Sequence, residues 1–275
     1  MLIVVAAAVV LVVAGFWYWQ RQHEPTPETA APAPQTAPTQ TPVAGNTPPK
    51  TMPVIREETP ASTATASTTT PTAETPSQPA PPPIVQPPKQ LDNSDTSVQN
   101  AVTQLDAQLP QWLMPEEQIR KWVMLVNQLA DGKVPARNRP VEYPLTPFKV
   151  KKQEGSLWLD PDDYHRTDVL VKAITRIPPE LLARYYHAWE PLLQKAQDEL
   201  GNNARFHDKL LQAIQRIEAV KPLEGAVKLE PVVVTYRFVD PNLEQASALE
   251  KQMWRLGPDN TRLLQAYLRK LKPLL

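Results

Sequence analysis

PELLARYYHAWEPLLQKAQDEL, residues 179–200, decides the fold class. Its apolar and aromatic side chains, Leu182, Tyr185, Tyr186, Trp189, Leu193, Ala196 and Leu200, recur every three or four positions, which winds them onto one face of a helix. Pro179 suits a first turn, where its missing N–H costs nothing, and Gly201 suits the stop. Pro191 removes an amide bond from the interior and is expected to kink the helix. A stripe this broad needs other helices to cover it.

The flanking sequence supplies them. A helix capped at Ser94 or Asp95 carries Val98, Val102, Leu105 and Leu109 on one face and meets Pro110. A second is expected from Pro115, with Glu116 and Glu117 near the positive end of its dipole, then Ile119, Trp122, Val123, Val126 and Leu129 before Gly132. The prolines at 135, 140, 144 and 147 forbid regular structure, so Lys133 to Pro147 reads as an extended arm lying on the helices through Val134, Val141, Tyr143 and Leu145. Phe148 to Leu159, folded about Gly155, reads as a β-hairpin. Asp160 and Pro161 form a cap and first-turn proline for a broken helix through Ile177.

Beyond the long helix, Phe206, Leu210, Ile214 and Ile217 mark another. Val227 to Phe238 reads as one strand, with Pro231 placing its start at an edge or bulge. Asp240 and Pro241 open a helix through Leu243, Leu249, Met253 and Leu256 to Gly257, and a last helix from Pro258 carries Leu264, Leu268 and Leu271. The expectation is a mostly α domain over 91–275, with about seven helices and a small, three-stranded antiparallel β patch, large enough to bury its own core.

Two different segments precede it. Leu2 to Trp19 gives 18 uninterrupted apolar or aromatic residues, roughly 27 Å as a helix, enough to cross a bilayer once. A cleaved signal peptide would need a basic start and a small-x-small site, whereas Phe16, Trp17, Tyr18 and Trp19 form an interfacial belt, so residues 1–20 read as an uncleaved transmembrane anchor partnered with the lipid bilayer. Its Leu, Ile, Val and Phe side chains alone favour insertion by roughly 4 kcal/mol.

Residues 21–90 are a Pro/Thr-rich linker: Pro25 to Pro88 holds 18 of the 33 prolines, 15 threonines and no aromatic residue. Such a chain buries too little apolar surface to offset its ordering entropy, and reads as a disordered stalk. Arg21 and His23 by themselves would place the domain in the cytoplasm. The stalk composition favours an extracytoplasmic, periplasmic domain on a bacterial inner membrane. The absence of cysteine is compatible with that compartment.

LDNSD at 91–95, IRKWV at 119–123, VNQLADGKVPARNRP at 126–140 and LDPDDYHRTD at 159–168 occur in an order that resembles a known family, and ELG at 199–201, FHDKLLQAI at 206–214, TYRFVDPNLE at 235–244 and RLGPDN at 255–260 continue it. The family is one of bacterial single-pass membrane proteins sharing a C-terminal domain of unknown function. The resemblance implies an anchor, a proline-rich spacer and a soluble helical domain. It implies no reaction, cofactor or catalytic residue.

The residues themselves exclude several chemistries. All seven glycines stand alone, so no phosphate-cradling loop or nucleophile elbow can be built from them. Without cysteine there is no thiolate chemistry or Cys-ligated zinc. His165, His187 and His207 lack metal-ligand spacing. From Lys89 onward 26 basic residues face 24 acidic ones, so the domain has no overall field to draw in nucleic acid. Asp160, Asp162 and Asp163 are the nearest thing to a metal cluster, but they lack the glycine and later glutamate of a calcium loop and suit helix capping better. Lys133, Arg137, Arg139, Lys149, Lys151 and Lys152, opposed in 133–152 only by Glu142, form a candidate basic patch for an envelope protein or anionic envelope polymer. A solvated basic face is the plainer reading. The expectation is a non-enzymatic tethered binding or scaffold module, with a cell-envelope hydrolase and a cytoplasm-facing membrane adaptor as alternatives.

Overall fold

The computed structural model describes residues 83–201, 203–233 and 235–275; the expected anchor at 1–20 and the linker up to residue 82 lie outside the described residues. Among the described residues no helix is long and apolar enough to cross a membrane. Eight α-helices occur there: α1 Asp95–Leu105, α2 Gln118–Ala130, α3 Asp168–Thr175, α4 Pro179–Asp198, α5 Phe206–Ala219, α6 Pro241–Glu244, α7 Ala248–Arg255 and α8 Pro258–Leu271. Four strands, β1 Val150–Gln153, β2 Ser156–Leu159, β3 Lys228–Val232 and β4 Thr235–Phe238, form one antiparallel sheet in the order β1-β2-β3-β4.

The core sits where α2 crosses α5 and α4, with α8 closing over α3, α4 and α5. Trp122, Trp189, Tyr185, Tyr186 and Phe206 are its largest fully buried side chains. The helical spacing of the α4 stripe is what brings four of its aromatic or aliphatic residues, Tyr185, Tyr186, Trp189 and Leu193, inward together. Pro191 lies on the exposed face, within a helix that is continuous across it. The chain already touches this core at Ile84 and Val85, whose carbonyl (Val85) accepts from Trp189 Nε1 at 3.0 Å. The arm after α2 lies on the helices: Val141 and Leu145 are buried, and Tyr143 meets Trp112 edge to face at 4.8 Å.

Four boundaries differ from the sequence expectation, each for a local reason. Helix α1 ends at Leu105, because the Asp106 carboxylate accepts from Gln108 N–H and turns the chain before Pro110. Helix α2 starts at Gln118, since Glu116 and Glu117 both adopt left-handed backbone, φ 65° and 52°. Its first amides are capped from another helix: the Asp95 carboxylate accepts from Glu117 N–H at 2.9 Å and Gln118 N–H at 2.8 Å. Asp95→Ala is therefore expected to cost about 1–2 kcal/mol, read as a lower urea midpoint at unchanged slope. An unchanged midpoint would show that water replaces the cap.

The expected strand over Val227 to Phe238 is two strands, which makes the sheet four-stranded rather than three-stranded. It turns after Val232, with Val233 at φ 47° and fully exposed. The single helix expected from Asp240 to Gly257 is likewise two. Asp240 caps α6 by accepting from Asn242 N–H, and Ser247 with Glu250 forms a capping box that opens α7 in a new direction.

Candidate functional site: a cationic groove between β4 and α7

Helix α7 carries Ala248, Lys251, Gln252 and Arg255 at spacings of three and four, and so on one face. That face looks across at strand β4, the edge of the sheet. Together with Val134 of the arm, Val232 of β3 and Glu244 of α6, they enclose a groove of about 380 Å³ lined on the strand side by Thr235, Tyr236 and Arg237.

Three cations and one carboxylate line it, and the carboxylate is already committed. Glu244 accepts from Phe238 N–H at 2.9 Å and from Lys251 Nζ at 3.1 Å. Arg237 is paired with Glu230 across the β3–β4 ladder at 2.6 Å. Arg255 is different. Its guanidinium is enclosed by surrounding atoms yet keeps a window onto the groove, and no carboxylate among the described residues forms an ion pair with it. A long contact to Gln252 Oε1, at 3.4 Å, is the side-chain hydrogen bond it makes. Burial, reinforced by the neighbouring Arg166 charge and partly offset by that of Glu244, pushes its pKa down to about 10, so it stays protonated at neutral pH.

The Glu244 carboxyl is held below its ordinary 4.5: burial pushes it up, but the Phe238 amide, Lys251 and Arg255 together outweigh that. A depressed folded value stabilises fully above 4.5 and is lost as pH falls through it. Glu244→Gln is expected to make acid unfolding, followed by circular dichroism, less steep below that pH; the same steepness would remove Glu244 from the account.

The cations singled out in the sequence differ in burial. Lys133, Arg137, Lys149, Lys151 and Lys152 are exposed, but Arg139 is buried and does not share their surface. Lys151 and Lys152 lie on β1, with Lys149 just before it, at the opposite edge of the sheet from β4. Asp160 caps the 3-10 turn Pro161–Thr167 by accepting from Asp162 N–H. Asp163 is buried, 2.9 Å from Arg166 Nε, and accepts from Lys149 N–H at 3.0 Å. Burial pushes its pKa up, against the pull of Arg166. Both carboxylates thus have structural work, and among the described residues no cluster of acids and histidines could hold a metal. His207 meets the Tyr186 hydroxyl and His187 the Leu274 carbonyl, both rings lying against Tyr186, while His165 meets the Asp168 carboxylate.

Sequence reasoning missed Lys251 and Arg255 as a pair. Their i, i+4 spacing was visible, but the strand that faces them comes from elsewhere in the chain.

The model of a family described as "Protein of unknown function (DUF3014)" matches residues 118–272, a span that contains every residue lining the groove. No curated protein and no solved structure matches the chain.

Proposed function

Because the chain belongs to the DUF3014 family, whose description names no activity, its role has to be read from its own surface, and we propose that it is a non-enzymatic binding module, tethered to a bacterial inner membrane through residues 1–20 and engaging an anionic partner on the periplasmic side through the β4/α7 groove. The observation that carries the binding half is the Arg255 guanidinium: part-buried, charged and in no direct ion pair, with Glu244 near enough to be felt but committed to Lys251 and the Phe238 amide. Leaving such a group unpaired costs free energy that a bound anion would recover. The tether half rests on the apolar run from Leu2 to Trp19 and the Pro/Thr stalk that follows it. The cationic donors that line the groove suit recognition of an anionic group.

A photo-crosslinking residue at Ala248, on the groove wall, tests this in cells. The expected result is an adduct in the alkali-washed membrane fraction, accessible to protease in spheroplasts and lost when Arg255 is replaced by methionine. A chain recovered intact in the washed supernatant would overturn the tether. An adduct indifferent to Arg255→Met would overturn the groove.

A further inference from the structure

The two edges of the sheet are built differently. On β1, Lys151 and Lys152 are both exposed, as charged residues that discourage further strand pairing. On β4 no free lysine stands guard: Arg237 is tied down to Glu230, and the hairpin tip beside it is apolar, with Val233 wholly exposed.

The register shows what β4 offers. Val239 N–H donates to the Lys228 carbonyl at 3.1 Å, so Lys228 and Val239 form a hydrogen-bonded pair. Alternation along an antiparallel ladder makes Glu230 and Arg237 bonded, and makes Leu229/Phe238 and Pro231/Tyr236 non-bonded pairs. Pro231, which has no N–H to give, fits its position. Phe238 and Tyr236 therefore turn their amides and carbonyls outward, away from β3. The outward Phe238 N–H is taken by Glu244. The Tyr236 amide and carbonyl are directed along the outer edge of β4, at a residue that lines the groove shared with α7.

A groove with a strand edge on one side, a helix on the other and an enclosed guanidinium between them has the parts needed for strand addition with a charged anchor. We propose that an extended acidic peptide segment of a partner protein adds to the sheet beside β4, its backbone pairing with Tyr236 and a carboxylate seated on Arg255. This rests on the groove reading above and names its ligand. The strand, four residues or about 13 Å long, sets the number of peptide residues it can seat. Charge complementarity selects an acidic side chain, because with Lys251 paired to Glu244 the helix wall is left with the charge of Arg255. The half-buried Val134, Val232 and Tyr236 offer apolar contact for the alternate side chains.

The test is fluorescence anisotropy on the full-length chain in detergent micelles, with a short labelled peptide of alternating valine and glutamate. Saturable binding is expected, weakened roughly 30-fold by Arg255→Met, the loss typical of truncating one partner of a desolvated charge pair. Methylating the amide nitrogens along one edge of the peptide should abolish it, as should replacing its glutamates by lysine. Tyr236→Pro is a second variant for the case that Arg255→Met does not fold: it removes the outward N–H, opposite Pro231 in a non-bonded pair, together with the ring, and should also weaken binding, whereas Tyr236→Ala, which removes the ring and keeps the N–H, should weaken it less. Equal binding of the N-methylated peptide would overturn the proposal. So would displacement as effective by glutarate, inorganic phosphate or vesicles of phosphatidylcholine with phosphatidylglycerol, or no binding at all. A silent titration beside an Arg255-dependent crosslink from Ala248 would discard the peptide and leave the groove reading standing.

Discussion

Trp122→Ala is expected to lower the unfolding free energy by about 3–5 kcal/mol, the cost of removing a large ring from a core that cannot collapse around it. Trp122 has no solvent exposure and sits on α2 where that helix meets α5 and α4. Its Nε1–H donates to Gln118 Oε1 at 2.8 Å, and Gln118 Nε2 in turn donates to the Pro140 carbonyl at 3.0 Å. Truncation therefore opens a cavity and leaves the buried Gln118 oxygen without its donor. Urea unfolding should show a large fall in midpoint. A loss below about 1 kcal/mol would mean that α2 is not the centre of the core.

Gly257→Ala should cost about as much, by a different route. Gly257 has φ 84° and ψ 162°, a region open in practice only to glycine. A Cβ there would fall within the Tyr164 side chain. Conformational strain of about 1–3 kcal/mol adds to overpacking of similar size. The site also joins α7 to α8, next to Asn260, whose amide donates to Asp168 Oδ1 at 2.9 Å and to the Leu256 carbonyl at 3.1 Å. Combining Gly257→Ala with Tyr164→Ala should cost less than the two changes summed, because the ring is what the new methyl strikes. Strict additivity in thermal melts would contradict the packing account.

What the sequence made legible is the part of the fold written in helical periodicity. The stripe from Leu182 to Ala196 and the run from Ile119 to Leu129 identify helices and name the buried face, since apolar side chains at three- and four-residue spacing have only one way to leave water together. The prolines of the 133–147 arm likewise foretold an extended crossing. What stayed hidden depends on partners distant in sequence. Nothing near Glu117 says that Asp95 will cap it from α1. Val233 has no turn chemistry of its own, so the break between β3 and β4 was invisible, and with it the fourth strand. The α6–α7 break was readable in principle, because Ser247 and Glu250 have capping-box spacing, but the continuing apolar pattern through Leu249 and Met253 masked it.

The site followed the same divide. Counting charge along the chain pointed to Lys133 through Lys152, where cations crowd in sequence. Arg139 turned out to lie inside, and the lysines of β1 to guard an edge. Arg255 carries no such local signal: its charge matters because it is part-buried and in no direct ion pair, a property of packing rather than of composition.

Hydrogen–deuterium exchange of the full-length chain with and without the acidic peptide bears most directly on the claim that the β4/α7 groove is the binding site. The account predicts slowed exchange confined to Thr235–Val239 and Ala248–Arg255, with the lysine-bearing β1 unchanged. Protection of β1 instead, or none in either place at saturating peptide, would contradict it.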